Sequence, residues 1–442
     1  MEIKIPSHVA EIIKRLEREG FEAFAVGGCV RDTVLGREPD DWDITTSAKP
    51  EQVKSIFRRT VDTGIQHGTV TVLMDRDGYE VTTYRVDGEY LDGRHPKEVA
   101  FTASLKEDLA RRDFTINAMA YSPKTGIIDI FGGMDDLEKG LIRCVGEPRE
   151  RFGEDALRIL RAVRFSAQLG FAIEENTKKA VSEMAERLNL ISKERIQVEL
   201  DKILCSKHPD YIKLAYELGI TAVILPEFDR AMETPQKNPY HKLSVGEHTL
   251  ETLRNVRADH ILRWTMLLHD MGKPDTAATG EDGTLHFYGH AKAGAEIAHR
   301  ILRGLKFDNE TVDQVTLLVT YHDFPFSVSP TEVRRAMNRV GNLFPKLLEV
   351  CTADSMGKTR FAQEEYLPKL ARVKAFYEQS LAAGDCVNLK SLAINGGDLI
   401  RAGMKPGKEL GERLNRCLEA VLEKPELNTK EQLMELAQKK ED

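Results

Sequence analysis

The 442 residues are 41% hydrophobic and 30% charged, a balance that fits a soluble globular protein of two to four domains. A formal net charge of −8 excludes a surface built to coat nucleic acid throughout, though it allows a local basic cleft. The chain shows no apolar run of about 18 residues and no basic-then-apolar leader, so neither a membrane span nor a signal peptide is expected. Its six cysteines form no CxxC pair and read as free thiols of a reducing cytosol, which places the protein in the cytoplasm.

Near the N-terminus, Ser7 after Pro6 predicts a helix cap, Val9, Ile12, Ile13 and Leu16 keep helical spacing, and Gly20 closes the helix. The next stretch, AFAVGGCVRDTVLGREPDDWDITTSA, organises the chain. It predicts a buried strand over residues 21–26, a turn at Gly27 and Gly28, a short helix over 30–35, and a second strand that opens with Asp41 and Asp43. Residues two apart on a strand share a side, so these two carboxylates project into one space beside a turn whose bare backbone can cradle phosphate. A divalent cation relieves their repulsion, and Mg²⁺ suits oxygen ligands shared with substrate phosphates. The chemistry indicated is metal-assisted phosphoryl or nucleotidyl transfer.

A helix with a basic end is expected over residues 50–59, followed by strands over 68–74 and 79–85 joined by a hairpin turn. Glu80 on the second of these is either a third acidic group beside Asp41 and Asp43 or a plain solvent-facing residue. Residues 87–96 form a polar, glycine-bearing loop that contains Asp92, Gly93, Arg94 and Pro96. In LARRDFTINAMAY, the side chains Arg111, Arg112 and Asp113 set paired donors and an acceptor at an expected helix start, the mixture that a ribose and a triphosphate need. Residues 127–142 read as a short strand, a second GG turn and an acidic helix start, with a hinge role.

FGEDALRILRAVRF (residues 152–165) predicts one helix in which Asp155 and Arg158 are neighbours, with Arg161 and Arg164 continuing nearby. A carboxylate only accepts hydrogen bonds and a guanidinium only donates. Cytosine and adenine offer a donor amine beside a ring acceptor; guanine and uracil reverse that order. An Asp–Arg pair can therefore accept C and A and reject G and U without a template, at about 1–3 kcal/mol per misplaced bond. Residues 143–195 are locally basic, and SKERIQVELDKIL predicts a capped amphipathic helix.

The motifs GGCVRDTVLG, DDWDITTSA, RRDFTINAMA and EDALR resemble those of the class II tRNA nucleotidyltransferase and poly(A) polymerase family, within the polymerase-β-like superfamily. The resemblance implies an α+β architecture: a nucleotidyltransferase head of mixed sheet and helices (residues 1–145), a helical neck that reads the base and binds RNA (146–235), a further helical domain (236–360) and a helical tRNA-binding tail (361–442). It implies that Asp41 and Asp43 hold two Mg²⁺ ions. It also implies that Gly27, Gly28, Arg31 and Asp32 shape the phosphate site, that Arg111, Arg112, Asp113 and Asn117 engage ribose and phosphate, and that Asp155 and Arg158, flanked by Arg161 and Arg164, choose the base. Glu194, Arg195 and Glu199 resemble the family's last neck motif, with a steadying role. The loop around Arg94 is associated in the family with addition of the terminal A. The activity implied is template-free addition of C, C and A to the tRNA 3′ end from CTP and ATP; A-only addition and poly(A) synthesis share these motifs.

Past residue 239 the residue types change. His248, His269-Asp270 in LLHDMGKP, His290, His322 and Asp354 follow in an order that resembles the HD metal-dependent phosphohydrolases. The resemblance implies one metal held by His248, His269, Asp270 and Asp354 and a second by His290 and His322. Imidazole favours Mn, Ni, Co or Fe over Mg, and a phosphodiester or cyclic phosphate at an RNA end is the substrate class implied. Such a site with a regulatory head is the competing function. In the tail (residues 395–422), Lys405 and Lys408 near glycine turns are either a phosphate-binding segment or a solvated helix pair. Residues 430–442 are expected to form a polar helix that frays.

Overall fold

Val9, Ile12, Ile13 and Leu16 lie on one stripe and are all buried, which docks helix α1 (Ser7–Arg18) on the sheet it precedes. Pro6, not Ser7, stands at the cap, and no side chain caps this helix; proline's missing N–H and fixed φ already suit a helix entry. The computed structural model describes residues 3–87, 99–323 and 328–439. The chain divides into two units, Met1–Pro226 and Glu227–Asp442.

The first unit holds a seven-stranded sheet. Strand β1 (Ala23–Val26) leads through helix α2 (Gly28–Val34) to β2 (Ile44–Thr46), and then through α3 (Pro50–Ile56) to β3 (Thr60–Gly64), β4 (Thr69–Met74) and β5 (Asp77–Thr83). The expected helix over 50–59 is shorter, because Thr60 and Val61 are β-branched and pair with β4 instead. The β4–β5 turn is also tighter than expected, with Met74 opposite Asp77. Beyond β5, β6 (Arg85–Asp87) pairs with β7 (Val99–Phe101). Asp92, Gly93, Arg94 and Pro96 lie outside the described residues. Helix α4 (Leu105–Ala110), strands β8 (Met119–Ser122) and β9 (Gly126–Asp129) and helix α5 (Gly133–Lys139) complete the head. The sheet order is β3-β4-β5-β2-β1-β8-β9. Its centre is antiparallel between β1 and both β2 and β8, and parallel between β2 and β5. Phe24, Val26, Tyr84, Leu109, Ala118 and Ala120 form a core beneath it.

Four neck helices matter to the site: α6 (Pro148–Glu154), α7 (Leu157–Leu169), α8 (Glu175–Met184) and α9 (Lys193–Leu204). The single helix expected over residues 152–165 is two helices. Asp155 is extended (φ −135°, ψ 103°), and its Oδ1 accepts from the Leu157 N–H at 3.0 Å. A short carboxylate that bonds backbone just ahead of it favours a helix end over a helix interior. Ser192 stands at the α9 cap, but its side chain makes no cap bond.

Among the described residues, the second unit is helical apart from a short strand pair, Ala278–Thr279 with Leu285–His286, and an isolated bridge between Asn238 and His241. Helices Val245–Asn255, His260–Leu268, His290–Gly304, Asn309–Tyr321 and Phe344–Met356 pack around the buried Trp264 and one polar cavity. Further on, Leu399, Cys417, Leu418, Val421, Leu422, Leu433 and Ala437 form a separate core. The last helix (Lys430–Gln438) is thereby tied down rather than fraying, since Leu433 and Ala437 are fully buried. The architecture is α+β, as the sequence predicts. Among the described residues, no helix is long and apolar enough to cross a membrane.

Candidate active site

Gly27 adopts φ 84°, and a Cβ there would lie 2.9 Å from Arg112 Nη1. The position therefore needs glycine for its backbone, and a side chain there would also displace this guanidinium. Asp41 and Asp43 stand just before β2 rather than within it, with the Asp43 carbonyl accepting from the Val26 N–H at 3.0 Å. The parallel register Ile44↔Val81, carried one residue back, sets Asp43 beside Glu80. Three carboxylates thus share one end of the sheet. Burial, then the charge of Asp41, lift the Asp43 carboxyl to about 6; Glu80 adds to the rise and Arg112 opposes it. Crowded oxygen donors held at this cost fit a divalent cation, which would remove the repulsion.

Arg111, Arg112 and Asp113 follow the C-terminus of α4 and do not open a helix. The negative end of a helix suits arginines, and Ser104 caps the far end by accepting from the Glu107 N–H. Both arginines lean on Asp108, a fully buried carboxylate that the sequence reading passed over. Arg111 donates to its Oδ1 at 2.8 and 3.0 Å, Arg112 lies 3.6 Å from its Oδ2, and Thr45 donates to Oδ2 at 3.0 Å. Burial alone would raise the Asp108 pKa, but the two arginines hold it below the usual range.

From Asp113 a polar chain runs in both directions. Its Oδ1 accepts from Asn117 Nδ2 at 3.0 Å, and Asn117 Oδ1 accepts from Arg31 Nη1 at 2.7 Å. Arg31 in turn grips Asp32 with two bonds of 3.0 and 2.7 Å. On the other side, Asp113 Oδ2 accepts from Arg161 Nε at 2.9 Å. Burial pushes the Asp113 pKa up, yet Arg161 and Asn117 outweigh it and keep the group ionised. Glu199 on α9 pairs with Arg164 at 2.5 Å and lies 3.9 Å from Arg161. Arg31, Arg161 and Arg164 all stand over the Phe165 ring, at 5.1, 5.3 and 3.8 Å from its centroid, each a cation–π contact.

Asp155 and Arg158 are each held by other partners. Arg195 holds Asp155 through two bonds, at 2.7 and 3.2 Å. Arg158 reaches Glu154 at 2.5 Å and the Arg111 carbonyl at 2.8 Å. Much of the basic charge over residues 143–195 is likewise met by carboxylates: Arg143 by Asp136 and Glu174, Arg149 by Glu183, and Arg151 by Glu154.

In the second unit, His248, His269 and Asp354 form one buried triad, and Asp270, His290 and His322 another. The two oxygens of Asp270 are divided between them: Oδ2 is 3.2 Å from His269 Nε2, and Oδ1 is 3.5 Å from His322 Nε2. All four imidazoles turn Nδ1 toward a backbone carbonyl: Gly357, Met266, Phe287 and Val319, at 2.7–3.2 Å. Those bonds assign the proton to Nδ1 and leave a bare Nε2 lone pair aimed inward. His248 Nε2 then meets Asp354 Oδ1 at 2.9 Å, and His290 Nε2 meets His322 Nε2 at 3.3 Å. Burial lowers the His248 and His290 pKa values, whereas Asp270 outweighs burial and raises that of His322. Among the described residues, His269 Nε2 has no hydrogen-bond partner. Lys273 lies 2.7 Å from Asp270 Oδ2 and Lys358 2.7 Å from Asp354 Oδ2. Both lysines were missed in the sequence, although each follows its carboxylate at helical spacing.

Family models match three stretches: the poly A polymerase head domain over residues 23–143, the probable RNA and SrmB-binding site of polymerase A over 170–232, and a putative tRNA nucleotidyltransferase domain 2 over 276–437. The CCA-adding enzyme of Lactiplantibacillus plantarum is 37% identical over 432 residues, covering 96% of this chain and 94% of that protein. The chain belongs to the CCA-adding enzyme family. The Leuconostoc mesenteroides member is 35% identical over 427 residues, 96% of this chain and 94% of its own. The crystal structure of the Bacillus stearothermophilus CCA-adding enzyme in complex with CTP superposes with a TM-score of 0.72 at 32% identity, covering 98% of each chain. The Thermotoga maritima CCA-adding enzyme complexed with tRNA shares the fold, with a TM-score of 0.59 at 22% identity. The protein is accordingly a nucleotidyltransferase of a family that uses a divalent metal ion.

Proposed function

We propose that this CCA-adding enzyme family member extends tRNA 3′ ends by C, C and A, drawing on CTP and ATP without a template, in the cytosol. The full-length match to CCA-adding enzymes carries this reading. Asp41 and Asp43 would hold Mg²⁺, whose chemistry when bound is to activate the RNA 3′-hydroxyl and to screen the triphosphate. Gly27 and Gly28 let the triphosphate approach the backbone, with Arg31 and Asp32 beside it. Arg111, Arg112, Asp113 and Asn117 orient ribose and phosphate. Asp155 and Arg158 select the base, with Arg161 and Arg164 supporting them. An ionised carboxylate has about four acceptor sites, so Asp155 can keep Arg195 and still accept from the amine of C or A. In this reading the head is residues 1–145, the neck 146–235, the third domain 236–360 and the tRNA-binding tail 361–442.

The test is incorporation of labelled CTP and ATP into tRNAs that end at the discriminator base, at C and at CC. Growth to three added nucleotides is expected. Growth from the CC end alone means A-only addition, and long A tails mean poly(A) synthesis. No incorporation, with Asp41→Ala making no difference, overturns the reading.

The inward Nε2 atoms favour a second site. His248, His269, Asp270, His290, His322 and Asp354 would hold Mn, Ni, Co or Fe, which resolves the lone-pair contacts. When bound, such ions supply a water activated for hydrolysis of a phosphate ester. Metal analysis of the purified protein tests this; equal metal content in the wild type and Asp270→Asn counts against it.

A further inference from the structure

Phe165 is buried, and three guanidiniums gather around its ring: Arg164 at 3.8 Å from the centroid, Arg31 at 5.1 Å and Arg161 at 5.3 Å. Their origins differ. Arg31 comes from α2 in the head and sits beside the glycine turn, where a Cβ on Gly28 would lie 3.6 Å from its Nη2. Arg161 and Arg164 belong to α7, the helix that carries Arg158 and begins just after Asp155. Like charges gathered this closely repel. Each guanidinium has its own carboxylate: Asp32 for Arg31, Asp113 for Arg161 and Glu199 for Arg164. Those carboxylates stand on three different segments, so they balance the charge without explaining why the guanidiniums converge. What all three share is the Phe165 ring, whose negative face attracts cations. Burial, with Arg161 and Arg31 adding to it, pushes the Arg164 pKa down to about 10 against Glu199 and Asp113. Phe114, itself fully buried, packs on the ring at 5.7 Å and 81° and keeps it from swinging away. The cluster meets solvent through Arg161, whose side chain is 33% exposed against 10% for Arg31 and 8% for Arg164.

We propose that Phe165 is a positioning residue for the incoming nucleotide. Its ring locks one arginine of the phosphate site to two on the base-reading helix, so that triphosphate and base are gripped by one rigid unit. The ring is 5% exposed, too little to touch the nucleotide itself, and acts through the guanidiniums. Leucine would fill much of the same space and bury as well, but it has no quadrupole to hold three cations. The inference rests on the nucleotidyl-transfer reading above.

The test compares the full-length wild type with Phe165→Leu and with proteins carrying mono-, di- or trifluorinated phenylalanine at position 165. Fluorine drains the negative face of the ring while nearly keeping its shape. Binding is read by calorimetry in Mg²⁺, below the melting temperature of each protein. CTP affinity is expected to fall stepwise with fluorine count, reaching roughly tenfold for the trifluorinated ring and for Phe165→Leu. Tripolyphosphate, which has no base, is expected to weaken in parallel, and the ratio of CTP to UTP affinity to drop along the same series. Equal CTP affinity across the series overturns the inference. A loss in Phe165→Leu alone overturns it too, because that marks a packing role. So does a loss for tripolyphosphate with the CTP-to-UTP ratio unchanged, or the reverse, since the two grips are then not joined. CTP bound without incorporation into tRNA fails the transfer reading and leaves this inference to the fluorine series; no CTP binding sinks both.

Discussion

Asp43 shows how a side chain's role is set by what crowds it. Its carboxyl sits at about 6 instead of 3.8 because burial, Asp41 and Glu80 together outweigh Arg112. A group with a raised folded-state pKa binds its proton more tightly when folded, so ionisation costs stability as pH rises from about 4 to 6. In chelator, Asp43→Asn is therefore expected to melt higher than the wild type at pH 7, with the gain vanishing toward pH 4. The same shift makes protons compete with metal. Mg²⁺ affinity is expected to fall as pH drops through 6, and Glu80→Gln, by removing one repelling charge, moves that fall to lower pH; metal titrations across pH 5–8 check both. Asp41 and Asp43 were legible from spacing alone. The part played by Glu80 stayed open, because only the β2–β5 register places it beside them.

At the scale of elements, α9 braces α7 through two ion pairs. Glu199 is 4% exposed and Arg164 is 7% exposed, so removing the carboxylate strands a buried guanidinium. Glu199→Ala is expected to cost about 3–5 kcal/mol, with Glu199→Gln costing less; denaturant unfolding measures both. Arg195 has a different duty, since it holds the carboxylate proposed to read the base. Arg195→Ala is expected to lower the preference for CTP over UTP by roughly tenfold, one misplaced bond's worth, read as a ratio of kcat/KM values. The break at Asp155 was hidden in the sequence because Leu157, Leu160 and Val163 keep an unbroken apolar period, and periodicity alone does not reveal a backbone that turns at one residue. The misplaced helix start at Arg111 has a different cause: the apolar residues after the motif, Phe114, Ile116, Ala118 and Met119, lead into a short 3-10 turn and β8 rather than a helix.

Across the whole molecule, two units carry two separate clusters of chemistry. In the second, metal is expected to act as a folding ligand: Mn²⁺ or Ni²⁺ at about 100 times its Kd stabilises by about 2.7 kcal/mol. That gain is expected as a rise in melting temperature, and Asp270→Asn is expected to abolish it. The six residues that meet in the two triads were readable in the sequence because each sits in a compact motif of its own type. Lys273 and Lys358 escaped notice because a lysine on a helix ordinarily faces water; here each is folded onto a buried carboxylate.

The sequence by itself determined which functional groups are present and how near neighbours are spaced: the glycine turn, the two aspartates, the RRD run, the ED–R pair and the histidine series. Those features depend on residue type and on distances of a few residues, which backbone geometry sets locally. Only the tertiary structure decided the partners. Arg195 on Asp155, Glu199 on Arg164, Arg161 on Asp113 and Glu80 beside Asp43 join residues 35–48 positions apart. At such separations side-chain contacts follow from packing, because the chain between them can close in many ways and only the assembled core selects one.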